Sequence, residues 1–181
     1  MRHAWLLPIA FLLNGCTTAL YATYEVTTDQ RPFETQHLDV GIAGTIKARL
    51  LESPVKGIGW IEVYCRRGIV VLTGVVERGS AAEREALPVA HHDEGVKRVE
   101  TYFVPSRPSL VSDYTIKVKV NARVVADWDL RFSQVSTSVL AGHVVLVGVV
   151  DREEKVKKIL DHARATGGVV AVKSFIQIAA N

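Results

Sequence analysis

His91-His92-Asp93 is the one run of metal-ligand side chains in this 181-residue sequence. Adjacent side chains point apart, whereas a metal site needs three or four donors converging on one point. Solvent-facing positions at a helix end are therefore the simpler expectation. His37, His143 and His162 are isolated, and His143 falls on the outward face of a strand, where surface placement is expected. No Gly-x-Ser-x-Gly turn and no cysteine–histidine partnership supplies a nucleophile. Glu153-Glu154 is better explained by helix capping than by acid–base work. These residue types predict no enzyme, no metal and no cofactor. Of the two cysteines, Cys65 at a strand end is expected to serve as a small buried apolar residue.

Charge narrows the partners. A net charge of +3 is too small to suggest nucleic acid, and it is unevenly placed. Residues 38–104 carry nine basic and nine acidic side chains, whereas residues 113–181 carry ten and seven. Lys155, Lys157 and Lys158 lie beside an apolar stripe and are expected to be its solvated face; Arg66-Arg67 is expected to be a turn.

The elements that position these residues occur twice. Gly68-Ile-Val-Val-Leu-Thr-Gly-Val-Val-Glu-Arg78 returns 74 residues later as Gly142-His-Val-Val-Leu-Val-Gly-Val-Val-Asp-Arg152, identical at eight of eleven positions. Upstream, Asp39 matches Asp113, Ile42 matches Ile116 and Ile61 matches Val135; downstream the offset is 73, so Gly95-Val96 meets Gly168-Val169. A one-residue change is what a loop tolerates, and it falls near Gly79. The chain therefore holds two modules, 38–104 and 113–179, joined by a linker over 105–112 that carries Pro105 and Pro108.

Each module opens with Asp39 or Asp113, a fitting helix N-cap. Ile42, Ile46 and Leu50, or Ile116, Val120 and Val124, follow at helical spacing. Local propensity disagrees over Thr115–Val120, which alternates like a strand, but its counterpart in the first module does not alternate. Two copies should share one fold, so a helix is expected in both. Strands near 60–65 and 69–76, and near 134–139 and 143–150, are joined by turns in which Gly68 and Gly142 suit a positive φ. A second helix follows, capped by Ser80-Ala-Ala-Glu83 or by Asp151-Arg-Glu-Glu154 and kinked in the first copy by Pro88. A last strand near 97–104 or 170–178 completes an αββαβ order. The fold class is α+β, with a small mixed sheet and two helices on one face in each module.

The first helix of the second module has a further property. Opposite its core stripe lie Tyr114, Val118, Ala122 and Val125, flanked by Lys117 and Lys119. A helix apolar on both faces is either sandwiched between packed elements or partly inserted in lipid. Trp128, Arg131 and Phe132 nearby are side-chain types suited to a membrane interface.

The N-terminus has its own logic. Met1-Arg2-His3 is basic, Trp5 to Leu13 is apolar, and Leu13-Asn14-Gly15-Cys16 closes the run. Residues 1–15 are too short to span a bilayer and fit a signal peptide. The Leu-x-Gly-Cys ending resembles the bacterial lipoprotein box, whose cysteine is acylated. Residues 16–37 are then expected to be the lipid-bearing Cys16 and a tether with a reach on the order of 25 Å. Thr17 is not the aspartate that holds such lipoproteins in the inner membrane, which implies the outer membrane, facing the periplasm.

The αββαβ order, the G-x-V-x-L-x-G strand and the Gly-Val before the last strand resemble the BON domain of bacterial periplasmic and outer-membrane proteins. With the lipobox, the tether and Asp29-Gln-Arg31 ahead of two such modules, the layout resembles the dual-BON outer-membrane lipoproteins of the DolP/YraP kind. That resemblance implies binding of anionic phospholipid (phosphatidylglycerol or cardiolipin) through the second module, and support of outer-membrane integrity. The residues it points to are Tyr114, Thr115, Lys117, Val118, Lys119, Ala122, Val125, Trp128 and Arg131. The alternative is a periplasmic protein-interaction scaffold or chaperone-like adaptor, serving envelope-assembly partners through sheet faces such as Ile69, Val71, Val145 and Val147.

Overall fold

The computed structural model describes residue 29 and residues 31–105, 110–130 and 134–179. The signal peptide, Cys16, most of the tether, Arg131 and Phe132 lie outside the described residues. The first module runs α1 (Phe33–Glu52), a 3₁₀ turn (Ile58–Trp60), β1 (Glu62–Arg66), β2 (Ile69–Val75), α2 (Ala81–His91) and β3 (Arg98–Val104). The second runs α3 (Leu110–Ala126), β4 (Gln134–Leu140), β5 (His143–Val150), α4 (Glu153–Arg164) and β6 (Ala171–Ile178). In each sheet the middle strand pairs antiparallel with the first and parallel with the third. The αββαβ order and the mixed sheets are as expected.

The alternating stretch Thr115–Val120 is helical. Ile116 and Val120 are buried at helical spacing, and packing of that stripe overrides a strand propensity worth well under ~1 kcal/mol per residue. Both first helices begin earlier than expected. Residues 33–37 belong to α1 and not to a tether, and Asp39 and Asp113 lie inside their helices rather than at the N-cap.

The two aspartates have another task. Asp39 is buried and accepts hydrogen bonds from the backbone N–H groups of Arg67 (2.7 Å) and Gly68 (2.9 Å). Asp113 does the same for Ala141 and Gly142, both at 2.8 Å. These are the two central residues of the β1–β2 and β4–β5 turns. All four have positive φ (56° and 78°, 51° and 80°), the geometry of a type I′ hairpin. A carboxylate from the first helix thus clasps a turn whose inward N–H groups would otherwise be buried without partners. In the first module the clasp is extended, for Arg31 donates to both Asp29 and Asp39, and the Cys65 thiol donates to Asp39 Oδ1 at 3.2 Å.

Ser80 caps α2 as expected, its Oγ accepting from the Glu83 N–H at 3.2 Å, and the helix runs on through Pro88. The cap expected at Asp151 does not form. Arg152 occupies the N-cap position with no side-chain cap, and Asp151 pairs with Lys155 at 3.1 Å.

Even-numbered residues of the middle strands, Val70 and Leu72 or Val144 and Leu146, pack against the helices of their own module. Odd-numbered ones face the other way, and there the two sheets meet. Val71, Val145 and Val147 form a buried cluster with Tyr64, Tyr102 and Phe175. Polar side chains bond across the same junction: Arg66 to Ser136 (2.9 Å), Ser138 to Glu62 (2.8 Å), Tyr102 with His143 (2.8 Å) and Gln177 to the Arg66 carbonyl (2.8 Å). The described residues therefore stack as helices, sheet, sheet, helices. Two expectations are corrected. Val71, Val145 and Val147 are not exposed binding faces, and His143 is not a surface residue but half-buried against Tyr102. A half-apolar sheet face of a small module is costly to leave in water, and the duplicate module covers it.

Candidate membrane-contact face

With both sheet faces covered, the outer sides of the helices are the broad surfaces left to the fold. On α3, Asp113, Ile116 and Val120 point inward. The opposite side carries Tyr114 (69% exposed), Val118 (47%) and Val125 (60%), with Thr115, Lys119 and Ala122 also exposed and Lys117 half-buried. The stripe is thus not sandwiched against the first module. Trp128, in the turn after α3, is 77% exposed. That turn is held by the Asp127 side chain, which accepts from the Asp129 N–H at 3.0 Å, and by fully buried Leu130.

Electrostatics differ across this surface. Beside the turn, α4 presents cations that are already matched. Lys158 bonds Asp129 at 3.0 Å, Arg152 reaches the same carboxylate, and His162 meets Asp127 at 3.1 Å. The hydrogen bond from His162 holds the Asp127 carboxyl below the usual carboxylate range, and that from Lys158 does the same for Asp129. The Lys158 ammonium is correspondingly raised by Asp129. His162 is therefore not isolated, and Lys155 and Lys158 are paired rather than simply solvated. Lys117 and Lys119, by contrast, form no ion pair among the described residues. They flank the apolar stripe as uncompensated positive charge.

Other candidates resolve differently. His91 and His92 are exposed, Asp93 pairs with Arg49 at 3.2 Å, and among the described residues no group of three or more His, Cys, Asp or Glu is placed to hold a metal. Burial, with the adjacent Asp39 charge and hydrogen bond, pushes the Cys65 thiol up to about 12, so it stays protonated. A groove of about 510 Å³ lies between the start of α1, the Arg67–Gly68 turn and Val149 and Ala179 of the second module. Its cations Arg31, Arg67 and Lys97 are balanced by Asp39, Glu94 and the Asp29 bound to Arg31, so it offers an anion no net attraction. No described helix is long and apolar enough to cross a membrane.

What the spacing of residues did not single out is the outer side of α1, where Phe33, Val40 and Leu51 are 63–70% exposed. The signal was present in the sequence. The repeat aligns Val40 with Tyr114 and Leu51 with Val125.

A family model described as the BON domain matches the chain twice, over residues 39–104 and 112–180. No curated protein matches at the sequence level. Among solved structures, the C-terminal domain of CdsD, a structural protein of the type III secretion system of Chlamydia trachomatis, is 17% identical. That match covers 78% of this chain and 67% of that one, with a TM-score of 0.33. A second CdsD structure is 16% identical over 78% of this chain and 63% of that one, with a TM-score of 0.32. Likeness of that size carries no inference about this chain.

Proposed function

The chain belongs to the BON-domain family, and from that premise we propose that it is an outer-membrane lipoprotein of the DolP/YraP kind, facing the periplasm, whose second module binds anionic phospholipid and supports membrane integrity. BON domains serve membrane- and phospholipid-related roles in the periplasm. One observation carries the reading: Tyr114, Val118 and Val125 form an exposed apolar stripe bordered by the unpaired Lys117 and Lys119. Apolar side chains gain roughly 25 cal/mol per Å² on leaving water, and each cation near an anionic surface adds about 1 kcal/mol. Neither term alone holds a protein on a bilayer at useful strength, but together with an acyl anchor they orient it. Cys16, two residues ahead of Thr18, would carry that anchor, and several acyl chains make attachment nearly permanent. The scaffold alternative through Ile69, Val71, Val145 and Val147 has little surface left, since the three valines are buried between the sheets and Ile69 is half-buried.

The test is co-sedimentation of the soluble chain from Thr17 with phosphatidylcholine vesicles, with and without phosphatidylglycerol or cardiolipin. Binding is expected only with the anionic lipid, falling as salt rises. Val118→Glu places a carboxylate between the two lysines and should abolish binding with an unchanged melting temperature. Equal binding to neutral vesicles, or full binding by Val118→Glu, would overturn the assignment. Cys16→Ser in cells should release the protein from the membrane fraction or leave its signal peptide uncleaved; normal processing and retention would remove the anchor from the reading.

A further inference from the structure

The two modules have turned the same helix side to different uses. On α3 the outward side is bulky and basic, with Tyr114, Val118, Lys117 and Lys119; on α1 the matching positions are Val40, Gly44, Ala43 and Thr45. Nothing among the described residues covers that side of α1. Phe33 (69% exposed), His37, Val40 (70%), Gly44, Ala48 and Leu51 (63%) recur at spacings of three and four, which is a helix-packing seam. Leu51 lies against Gly59, its Cδ2 3.3 Å from where a Cβ would stand, so the neighbouring Trp60, 83% exposed, extends the patch.

We propose that this outer side of α1 is a self-association surface, covered by the same side of α1 from a second copy of this chain running antiparallel. Three features select that occupant over a lipid surface. The face has no lysine or arginine at the positions where α3 carries Lys117 and Lys119, so an anionic bilayer gains no charge attraction there. The seam is complementary to itself. With Phe33 set opposite the partner's Leu51, Val40 falls opposite the partner's Gly44, a knob facing a gap. Antiparallel helices also bring opposite dipole ends together. Finally, the first module carries nine positive and nine negative side chains over residues 38–104, so two copies meet without net repulsion.

The glycine at the centre fits this use. A Cβ on Gly44 would meet nothing within 4 Å, so the fold of a single copy does not require glycine there. A helix-interior glycine is nevertheless less favourable than alanine, because it orders more backbone freedom on folding. Close approach of a second helix supplies a reason. Because α1 and α3 lie on opposite outer sides of the stack, the contact leaves α3 uncovered.

The experiment uses the full chain in its own membranes, carrying Gly44→Cys and treated with a short bis-maleimide. Cys65 is buried and its thiol protonated, so it does not compete. A cross-linked dimer is expected on a denaturing gel, and Ala122→Cys, on the outward side of α3, should give at most one-tenth of the yield. Adding Val40→Arg to Gly44→Cys should lower the yield at least tenfold while the melting temperature stays unchanged. Equal yields at positions 44 and 122 would overturn the proposal, as would a yield that survives Val40→Arg. Cross-linking of Gly44→Cys to some other protein in place of a second copy would overturn it too. Lipid binding through α3 is read separately, so either assignment can fail without the other.

Discussion

Gly74 and Gly148 occupy matched places in the repeat, yet the structure assigns them different sensitivities. Neither has a positive φ, so a side chain is excluded by space alone. Gly148 pairs with Val135 across the antiparallel β4–β5 ladder. A Cβ there would stand 2.6 Å from the Gln134 carbonyl oxygen, 2.8 Å from Val135 Cγ2 and 3.0 Å from Val135 Cα, whereas ordinary contact begins at 3.4 Å. Two of those three atoms are backbone, which cannot turn aside, so β4 must move as a unit. At Gly74 the nearest atom is the Ile61 Cα at 3.3 Å, a deficit that a small shift removes. Overpacking of a well-filled site costs about 1–3 kcal/mol, and replacing glycine by alanine returns roughly 0.4–1 kcal/mol by restricting the unfolded chain. Gly148→Ala should therefore destabilise by about 1.3 kcal/mol, and Gly74→Ala should change stability by less than about 0.5 kcal/mol. For a fold of roughly 150 residues these figures correspond to a melting temperature lowered by about 3–5 °C in the first variant and nearly unchanged in the second. Urea unfolding of the chain from Thr17, followed by far-ultraviolet circular dichroism, gives both values. Equal destabilisation of the two variants, or a Gly148→Ala variant as stable as wild type, would refute the placement of Gly148 against β4.

Three further outcomes are expected. Burial works to raise the Asp39 carboxyl, but the N–H groups of Arg67 and Gly68, the Cys65 thiol and Arg31 outweigh it and hold it below the usual carboxylate range. Its contribution to stability is then complete above the unfolded value of about 3.9 and is lost as pH falls through the lowered folded value. Asp39→Asn should cost roughly 2–4 kcal/mol at pH 7 and flatten the loss of stability below pH 4, measured as urea midpoints across pH 2–7; an unchanged acid limb would count against the clasp. The Cys65 thiol, pushed up to about 12, should resist a disulfide-exchange reagent at pH 8 and react at least about a hundredfold faster once urea unfolds the chain. Lys117→Glu should weaken binding to anionic vesicles by about 1–2 kcal/mol, less than Val118→Glu, since each interfacial charge is worth about 1 kcal/mol.

The duplicated segment made most of the fold legible. Residue order alone specified the αββαβ succession, strands near 60–65 and 69–76 that the structure has at Glu62–Arg66 and Ile69–Val75, and glycine turns at Gly68 and Gly142, because period and turn chemistry are local. It also recovered the helix over Thr115–Val120 against local propensity, since the first copy could adopt only one of the two alternatives. The apolar stripe on α3 was equally readable, because a helical face is set by spacing. What contacts a face is not local. Val71 and Val145 have the alternation of any sheet residue with one open side, and only the meeting of two modules places them inside. Asp39 and Asp113 read as caps because aspartate near a helix start usually is one. Their real partners lie 28 and 29 residues on, at turns whose buried N–H groups exist only once the hairpin has docked on its helix. The same packing decided which helix side remained for function, because it used both faces of each sheet and left α1 and α3 looking outward in opposite directions.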